Sequence, residues 1–199
     1  THHVFTPTGT SSKVPADSTA TRINTGTIQK KTAVEAGFYV NDEIDLSDRI
    51  GLNLGVRVPY FAADHTSYSS IEPRISAKYT LSANSSIKTA YTRMNQFVHL
   101  VPSSTASVPT DIWLPTSDIV KPQRSQQIAL GYFHNFKNNT YETSVEAYYK
   151  TMKNQVAFRE GTQLNEQKDI DQELVFGKGE SYGTEFFLRR ASGRLKGWI

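Results

Sequence analysis

Long stretches of strict alternation constrain this chain more than any other feature. From Ile50 to Val58 every second residue is a large aliphatic (Ile50, Leu52, Leu54, Val56, Val58), with glycine, asparagine or arginine between. Ile71, Pro73, Ile75, Ala77, Tyr79 and Leu81 alternate in the same way with Glu72, Arg74, Ser76, Lys78 and Thr80. Tyr141, Thr143, Val145, Ala147 and Tyr149 alternate with Glu142, Ser144, Glu146, Tyr148 and Lys150. Successive side chains of a strand point to opposite faces, so each stretch has one apolar and one wet face. Strands of ordinary soluble domains usually run five or six residues, whereas a tilted strand needs roughly nine to eleven to cross a bilayer. The pattern is therefore that of wall strands in a membrane barrel.

Composition permits this. The 199 residues carry a net charge of +3, a pI near 9.0, no cysteine and a mean hydropathy of -0.48. No segment approaches the roughly twenty apolar residues of a membrane helix, and the polar inner face of a barrel lowers the average hydropathy. The positive charge is dispersed along the chain, which argues against nucleic acid as a partner. Without cysteine there is neither a disulfide framework nor a thiolate metal site. Thr1 opens no signal peptide and the chain stops at Ile199, inside what reads as a new strand, so a fragment of a larger protein is expected.

The alternation places strands near 31–42, 48–61, 68–81, 85–95, 122–136, 140–153 and 180–191, with another starting at 195. Short polar turns are expected at 45–48, 82–85, 137–139 and 192–194. Longer segments fall between them, at 62–67, 96–121 and 154–179, and 1–30 reads as a loop of the same kind. Short and long connections in alternation mark an up-and-down antiparallel meander with periplasmic turns and long outer loops. The expected organisation is thus an outer loop over 1–30 and a partial transmembrane barrel over 31–199. Val156–Arg159 and Glu173–Phe176 are expected to extend two wall strands as a hairpin above the membrane. Tyr60, Phe61 and Tyr68 at outer strand ends, with Tyr79, Phe136 and Tyr141 near inner turns, are expected to form two interfacial belts.

The lumen-facing set read from the alternation includes Glu35, Arg57, Glu72, Arg74, Glu146 and Glu185, together with Lys78, Lys88, Glu142, Lys150 and Arg189. Mixed charge is the usual lining of a barrel interior, so carboxylate pairs such as Glu142 and Glu146 are read as solvated or ion-paired, not as an acid–base couple. His2 and His3 point apart on an extended segment and lack a third ligand at useful spacing. Gly177–Ser181 has neither the spacing nor the following helix of a phosphate loop. There is no nucleophile elbow and no metal motif. No catalytic residue, metal or cofactor is expected, and the chain is not read as an enzyme. One long segment is chemically richer: Asn95, Gln96, His99, Asp111 and Trp113 gather amide, imidazole, carboxylate and indole groups, making them candidates for contact with a ligand. Packing of Phe97, Val98, Leu100, Ile112 and Trp113 over the barrel mouth is the plainer reading of that segment.

Several motifs carry a resemblance. Arg93–Leu100 (RMNQFVHL), Pro109–Pro115 (PTDIWLP), Lys121–Gln123 and Ala129–Phe133 resemble the later barrel strands of TonB-dependent outer-membrane receptors, in the version common in Bacteroidota. Ala36–Glu43, Ile71–Arg74, Phe176–Gly179, Ser181–Phe186 and Gly193–Trp198 are similar to further stretches of that family, in the expected order. The resemblance implies a barrel of about 22 strands plugged by an N-terminal domain. It also implies cargo binding from outside, opening driven by TonB, and a possible surface lipoprotein partner. No plug or TonB-contacting residue has a matching position here. The function implied is TonB-dependent uptake of a nutrient such as a siderophore, glycan or peptide. The alternatives are a passive outer-membrane barrel or surface adhesin that binds a partner through its outer loops, and a soluble β-sandwich. The sandwich fits poorly, because it would leave long aliphatic stripes uncovered unless a second sheet packed on them.

Overall fold

The computed structural model describes residues 2–5, 31–63, 65–101, 112–160 and 170–199, with backbone only at 2–5, 31, 112 and 170. Asp111 and most of the segments 1–30, 102–111 and 161–169 lie outside the described residues. The strands are β1 (His2–Phe5), β2 (Lys31–Ser47), β3 (Ile50–Ala63), β4 (Thr66–Ser69), β5 (Glu72–Ser82) and β6 (Ser85–Gln96). They continue with β7 (Val98–Val101), β8 (Ile112–Pro115), β9 (Gln123–Phe136), β10 (Tyr141–Phe158), β11 (Leu174–Arg190) and β12 (Gly197–Trp198). A 3₁₀ turn at Ile170–Glu173 leads into β11.

Ten strands form one antiparallel sheet in the order β1-β2-β3-β5-β6-β9-β10-β11-β12, with β4 folded back on β3. β7 and β8 form a separate two-stranded hairpin. The long strands follow chain order, so the architecture is the all-β antiparallel meander that the alternation demands. The strands are longer than the alternation alone placed them. β2 runs through to a two-residue turn at Asp48–Arg49, and β10 and β11 pair up to Phe158↔Leu174, the extended hairpin anticipated at 156–176. Within the segment 62–67, Ala62 and Ala63 pair with Ser67 and Thr66, so strand pairing of β3 with β4 continues into it. The turn after β9 is built by Lys137, Asn138 and Asn139, all at positive φ (52°, 52° and 61°). Asparagine tolerates that conformation better than most residues, which is how so tight a reversal closes.

Register sorts the side chains, because residues directly opposite across antiparallel strands share a face. On one face Leu54, Ile75, Tyr91, Ile128, Tyr149 and Tyr182 form a continuous row. Leu52, Ala77, Thr89, Leu130, Ala147 and Thr184 form the next row, followed by Ile50, Tyr79, Ile87, Tyr132, Val145 and Phe186. Many of these apolar side chains are exposed. Towards the turns the band ends in rings: Tyr132, His134, Phe136 and Tyr141 stack in sequence at centroid distances of 6.2, 6.2 and 5.1 Å. Towards the loops it ends at Arg93, Gln126, Thr151 and Glu180. From Tyr141 to Tyr149 is about 27 Å along a strand, or roughly 20 Å of depth at a tilt near 40°, close to the height of a barrel's apolar band.

Two residues expected in the outer belt, Phe61 and Tyr68, lie on the inner face. Tyr60 faces the apolar side, but Phe61 points the other way, is 0% exposed and stacks on Phe97 at 5.2 Å. Adjacent residues of a strand cannot share a face, so Phe61 belongs to an inner packing cluster and not to an interfacial ring. Tyr68 is directly opposite Phe61 and packs against the same buried cluster. Buried apolar residues concentrate at the loop end, away from the middle of the wall. One cluster joins Ala33, Phe61, Ala63 and Phe97; the other joins Val101, Leu114, Val120 and Leu174, with Val156 and Phe158 against it.

Candidate functional site

The polar face carries two charged constellations, both built by register. Near the loop end, Arg57 of β3 lies between Glu35 of β2 and Glu72 of β5. Its guanidinium donates to Glu72 Oε2 at 3.0 Å and to Glu35 Oε1 at 3.1 Å. Glu72 is 0% exposed, and its other oxygen accepts from the Asn95 backbone N–H at 2.7 Å and from Asn95 Nδ2 at 3.3 Å. Asn95 Nδ2 also donates to Ser70 Oγ at 2.7 Å. A buried carboxylate is tolerable only when its lone pairs are taken up by donors, and here three N–H groups supply that role.

Further towards the turns, one cross-strand row reads Gly51, Lys78, Lys88, Gly131, Glu146 and Glu185. Lys78 is directly opposite Lys88, and Glu146 directly opposite Glu185. Like charges in that position are destabilising, so the row holds a basic and an acidic pair on either side of a glycine. Lys88 Nζ lies 4.6 Å from the Phe133 ring centroid, which accounts for part of one charge. Glu142, Glu146, Glu185, Asn135 and Phe133 line a depression of about 670 Å³ beside this row. Arg74 lies on the same face, opposite Gly55 and Thr92. All six residues read as lumen-facing (Glu35, Arg57, Glu72, Arg74, Glu146 and Glu185) thus fall on the polar face, five of them in the two groups and Arg74 between them.

The β7–β8 hairpin packs over the loop end of this face. Phe97 inserts against Phe61, and Thr116 N and Oγ1 both donate to Phe97 O at 2.8 Å. Tyr68 Oη donates to Ser117 O at 2.8 Å, Ser117 Oγ to Asp171 Oδ2 at 2.6 Å, and Thr66 hydrogen-bonds Asp118. Lys121 Nζ reaches Tyr68 Oη at 3.2 Å. The hairpin is thereby tied to β3–β4 on one side and to the start of β11 on the other.

Among the ligand-contact candidates the structure separates roles. Asn95 is committed to Glu72 and Ser70, and Gln96 Nε2 braces the turn by donating to Val98 O at 2.7 Å. His99 is 0% exposed, with Nε2 at 3.2 Å from Thr116 Oγ1. The Thr116 hydroxyl proton is already directed to Phe97 O, so His99 Nε2 is the donor and Nδ1 is left bare, with no partner among the described residues. Burial pushes the His99 pKa down to about 4. Trp113, paired with Leu100 in the hairpin, is 55% exposed. Thr116 and Ser117 carry no signal in the sequence, because isolated hydroxyls in a polar segment give none until the hairpin brings them onto the wall, and Tyr68 reads there as a belt residue and not as a tether. Among the described residues no cluster of His, Cys, Asp or Glu could hold a metal ion, and no helix is long and apolar enough to cross a membrane.

Comparison with known proteins completes the geometry. The FrpB iron transporter of Neisseria meningitidis (F5-1 variant, apoprotein form) superposes with a TM-score of 0.61 at 14% identity, over 85% of this chain and 25% of that one. The Pseudomonas aeruginosa ferripyoverdine receptor, bound to ferripyoverdine, gives 0.56 at 15% identity, over 87% and 23%. The alcaligin outer-membrane receptor FauA of Bordetella pertussis gives 0.53 at 14%, over 81% and 28%. The chain spans about a quarter of the length of these structures. No curated protein matches it by sequence. The sequence model of the family described as "TonB dependent receptor-like, beta-barrel" matches residues 3–198, nearly the whole chain. The chain therefore belongs to the β-barrel family of TonB-dependent receptors, and its sheet is a stretch of an outer-membrane barrel wall.

Proposed function

We propose that the intact protein is a plugged barrel that takes up a scarce nutrient across the outer membrane, driven by TonB and without covalent chemistry. The observation that carries this reading is the two-faced wall: an apolar band closed by stacked rings on one side, and on the other a charged face with unmatched Lys78–Lys88 and Glu146–Glu185 pairs. A water-filled pore would tolerate such pairs. A plug of complementary charge inside the lumen would make them favourable, and we assign the polar face to that contact. The short turns are then periplasmic, and the β7–β8 hairpin lies at the cell surface.

On this reading Glu72, Asn95, Gln96 and His99 position the hairpin, and the exposed Trp113 indole is the group that meets cargo, with Asp111 in the same segment. Two of the matched structures are named for siderophores, so ferric chelates are the first cargo to test, followed by glycans and peptides, with a surface lipoprotein as a possible partner in their capture. The test is uptake of labelled cargo by cells expressing the full-length gene, with and without TonB. Uptake that continues unchanged without TonB would refute the proposal in favour of a passive barrel. Binding without uptake would favour an adhesin.

A further inference from the structure

We propose that the turn end of β9–β11 is a phospholipid site, in which Lys137 and Arg190 hold a lipid phosphate and the stacked rings above them receive the acyl chains. The inference rests on the apolar face meeting lipid, and on the short turns lying at the periplasmic rim.

Two adjacent arginines close β11, and register sends them to opposite faces. Arg189 lies on the polar face opposite Glu142 and is neutralised by it, Nη1 to Oε2 at 3.3 Å. Arg190 lies on the apolar face opposite Tyr141, with its guanidinium 5.8 Å from that ring's centroid. Lys137, from the β9–β10 turn, places Nζ 5.4 Å from the same centroid. Two cations therefore converge on one ring, no more than about 11 Å apart. Neither has a carboxylate partner among the described residues. Among the described residues the one hydrogen bond of the Arg190 side chain is Nε to Ser192 O at 3.2 Å, which does not use its terminal nitrogens.

The ring cannot balance both charges. A cation over an aromatic face gains modest attraction, while two cations sharing one ring repel each other. An anion between them removes the repulsion and takes charge-assisted hydrogen bonds from both. The surroundings identify which anion. On the β9 side Phe136 stacks on Tyr141, and His134, Tyr132, Val145, Leu188 and Phe186 continue the stripe upward. The site is thus a pair of cations at the foot of a wall of rings and aliphatics, matching a ligand with a phosphate at one end and hydrocarbon at the other. Free phosphate has no use for the stripe.

The test uses the intact receptor extracted in mild detergent, with bound phospholipid read by native mass spectrometry as phosphatidylglycerol is titrated. Lys137→Gln/Arg190→Gln is expected to weaken lipid binding by roughly thirtyfold, the product expected for two basic residues at a membrane surface. Arg189→Gln, with equal charge lost per site on the other face, is expected to leave binding unchanged. Inorganic phosphate is expected not to displace the lipid. Equal binding by wild type and double variant, equal loss in Arg189→Gln, or displacement by phosphate would each overturn the proposal. Lys137→Gln alone, on an exposed turn, keeps the test available if the double variant does not fold. Uptake is read separately. Normal TonB-dependent uptake with lipid indifferent to Lys137 and Arg190 refutes this inference alone, and lipid dependence without uptake refutes the transport reading alone.

Discussion

Replacing Leu130 with arginine tests the facing of the wall directly. Leu130 is 57% exposed in the sheet and its cross-strand neighbours are Thr89 and Ala147, so no carboxylate stands opposite it. Phe136 marks the lower ring belt and Gln126 the first polar position above. At about 3.4 Å per residue and a tilt near 40°, these lie roughly 15 Å below and 10 Å above Leu130, which puts it near the middle of the apolar band. Arginine at that depth costs about 2–4 kcal/mol. Leu54→Arg, on the same face, is a built-in contrast because Asp42 is directly opposite. At about 6 Å and an effective dielectric near 20, that attraction is roughly 3 kcal/mol, of the same order as the insertion cost. The expected ranking is Leu130→Arg worst, with Leu54→Arg largely offset by Asp42 and Asn53→Arg on the polar face nearly neutral. Asp42→Asn combined with Leu54→Arg should restore the full penalty, isolating the pair in a double-mutant cycle. The assay is equilibrium refolding of the intact receptor into lipid vesicles across a urea series. If Asn53→Arg costs as much as Leu130→Arg, the aliphatic face does not meet lipid and the membrane reading fails.

Three further outcomes are expected. Glu72→Gln sets an amide N–H against Arg57 and should cost about 2–3 kcal/mol in the same assay, more than Glu35→Gln at the partly exposed side of the triad; equal effects would refute a special role for the buried carboxylate. His99 has its folded pKa depressed from 6.5 to about 4, so the hairpin is most stable above pH 6.5 and loses up to about 3 kcal/mol as pH falls to 4. The same refolding assay run across pH should report this, and a His99→Leu variant should flatten the profile. Gly131→Ala would put a methyl 2.8 Å from the Phe133 ring and 3.1 Å from Glu146 Cγ and should destabilise by about 1–3 kcal/mol, whereas Gly177→Ala meets nothing within 4 Å and should be neutral by the refolding assay.

Facing was legible in the sequence because it depends only on parity within a strand, which is why Arg57, Arg74, Glu146 and Glu185 could be assigned together to one side. Partnership was not, because it depends on register. Lys78 meets Lys88 through a bulge at Leu81, which shifts pairing by one residue between Thr80 and Ser82; without it Lys78 would face Thr89. Glu146 meets Glu185 across a connection of more than a dozen residues, whose length leaves no trace of where the strands come together. The hairpin lay deepest of all. His99 read as a ligand-binding imidazole because a polar loop advertises exposed chemistry, but Phe97, Val101 and Leu114 carry the segment onto the wall and bury it.

The charges of this sheet divide by whether the wall itself answers them. Arg57 is held by Glu35 and Glu72, and Arg189 by Glu142; these pairs fix strand to strand and ask nothing of a partner. Among the described residues two further sets have no ion-pair partner in the sheet. Lys78–Lys88 and Glu146–Glu185 lie on the polar face as unlike couples separated by the width of Gly131, a pattern that, on the proposed reading, one object with both signs of charge would match better than water. Lys137 and Arg190 lie against Tyr141 at the end of the apolar band, where the proposed counter-charge is a lipid headgroup. A barrel wall is a boundary between two different surroundings, and in this one the charges it does not pair internally are a map of what each surrounding contains.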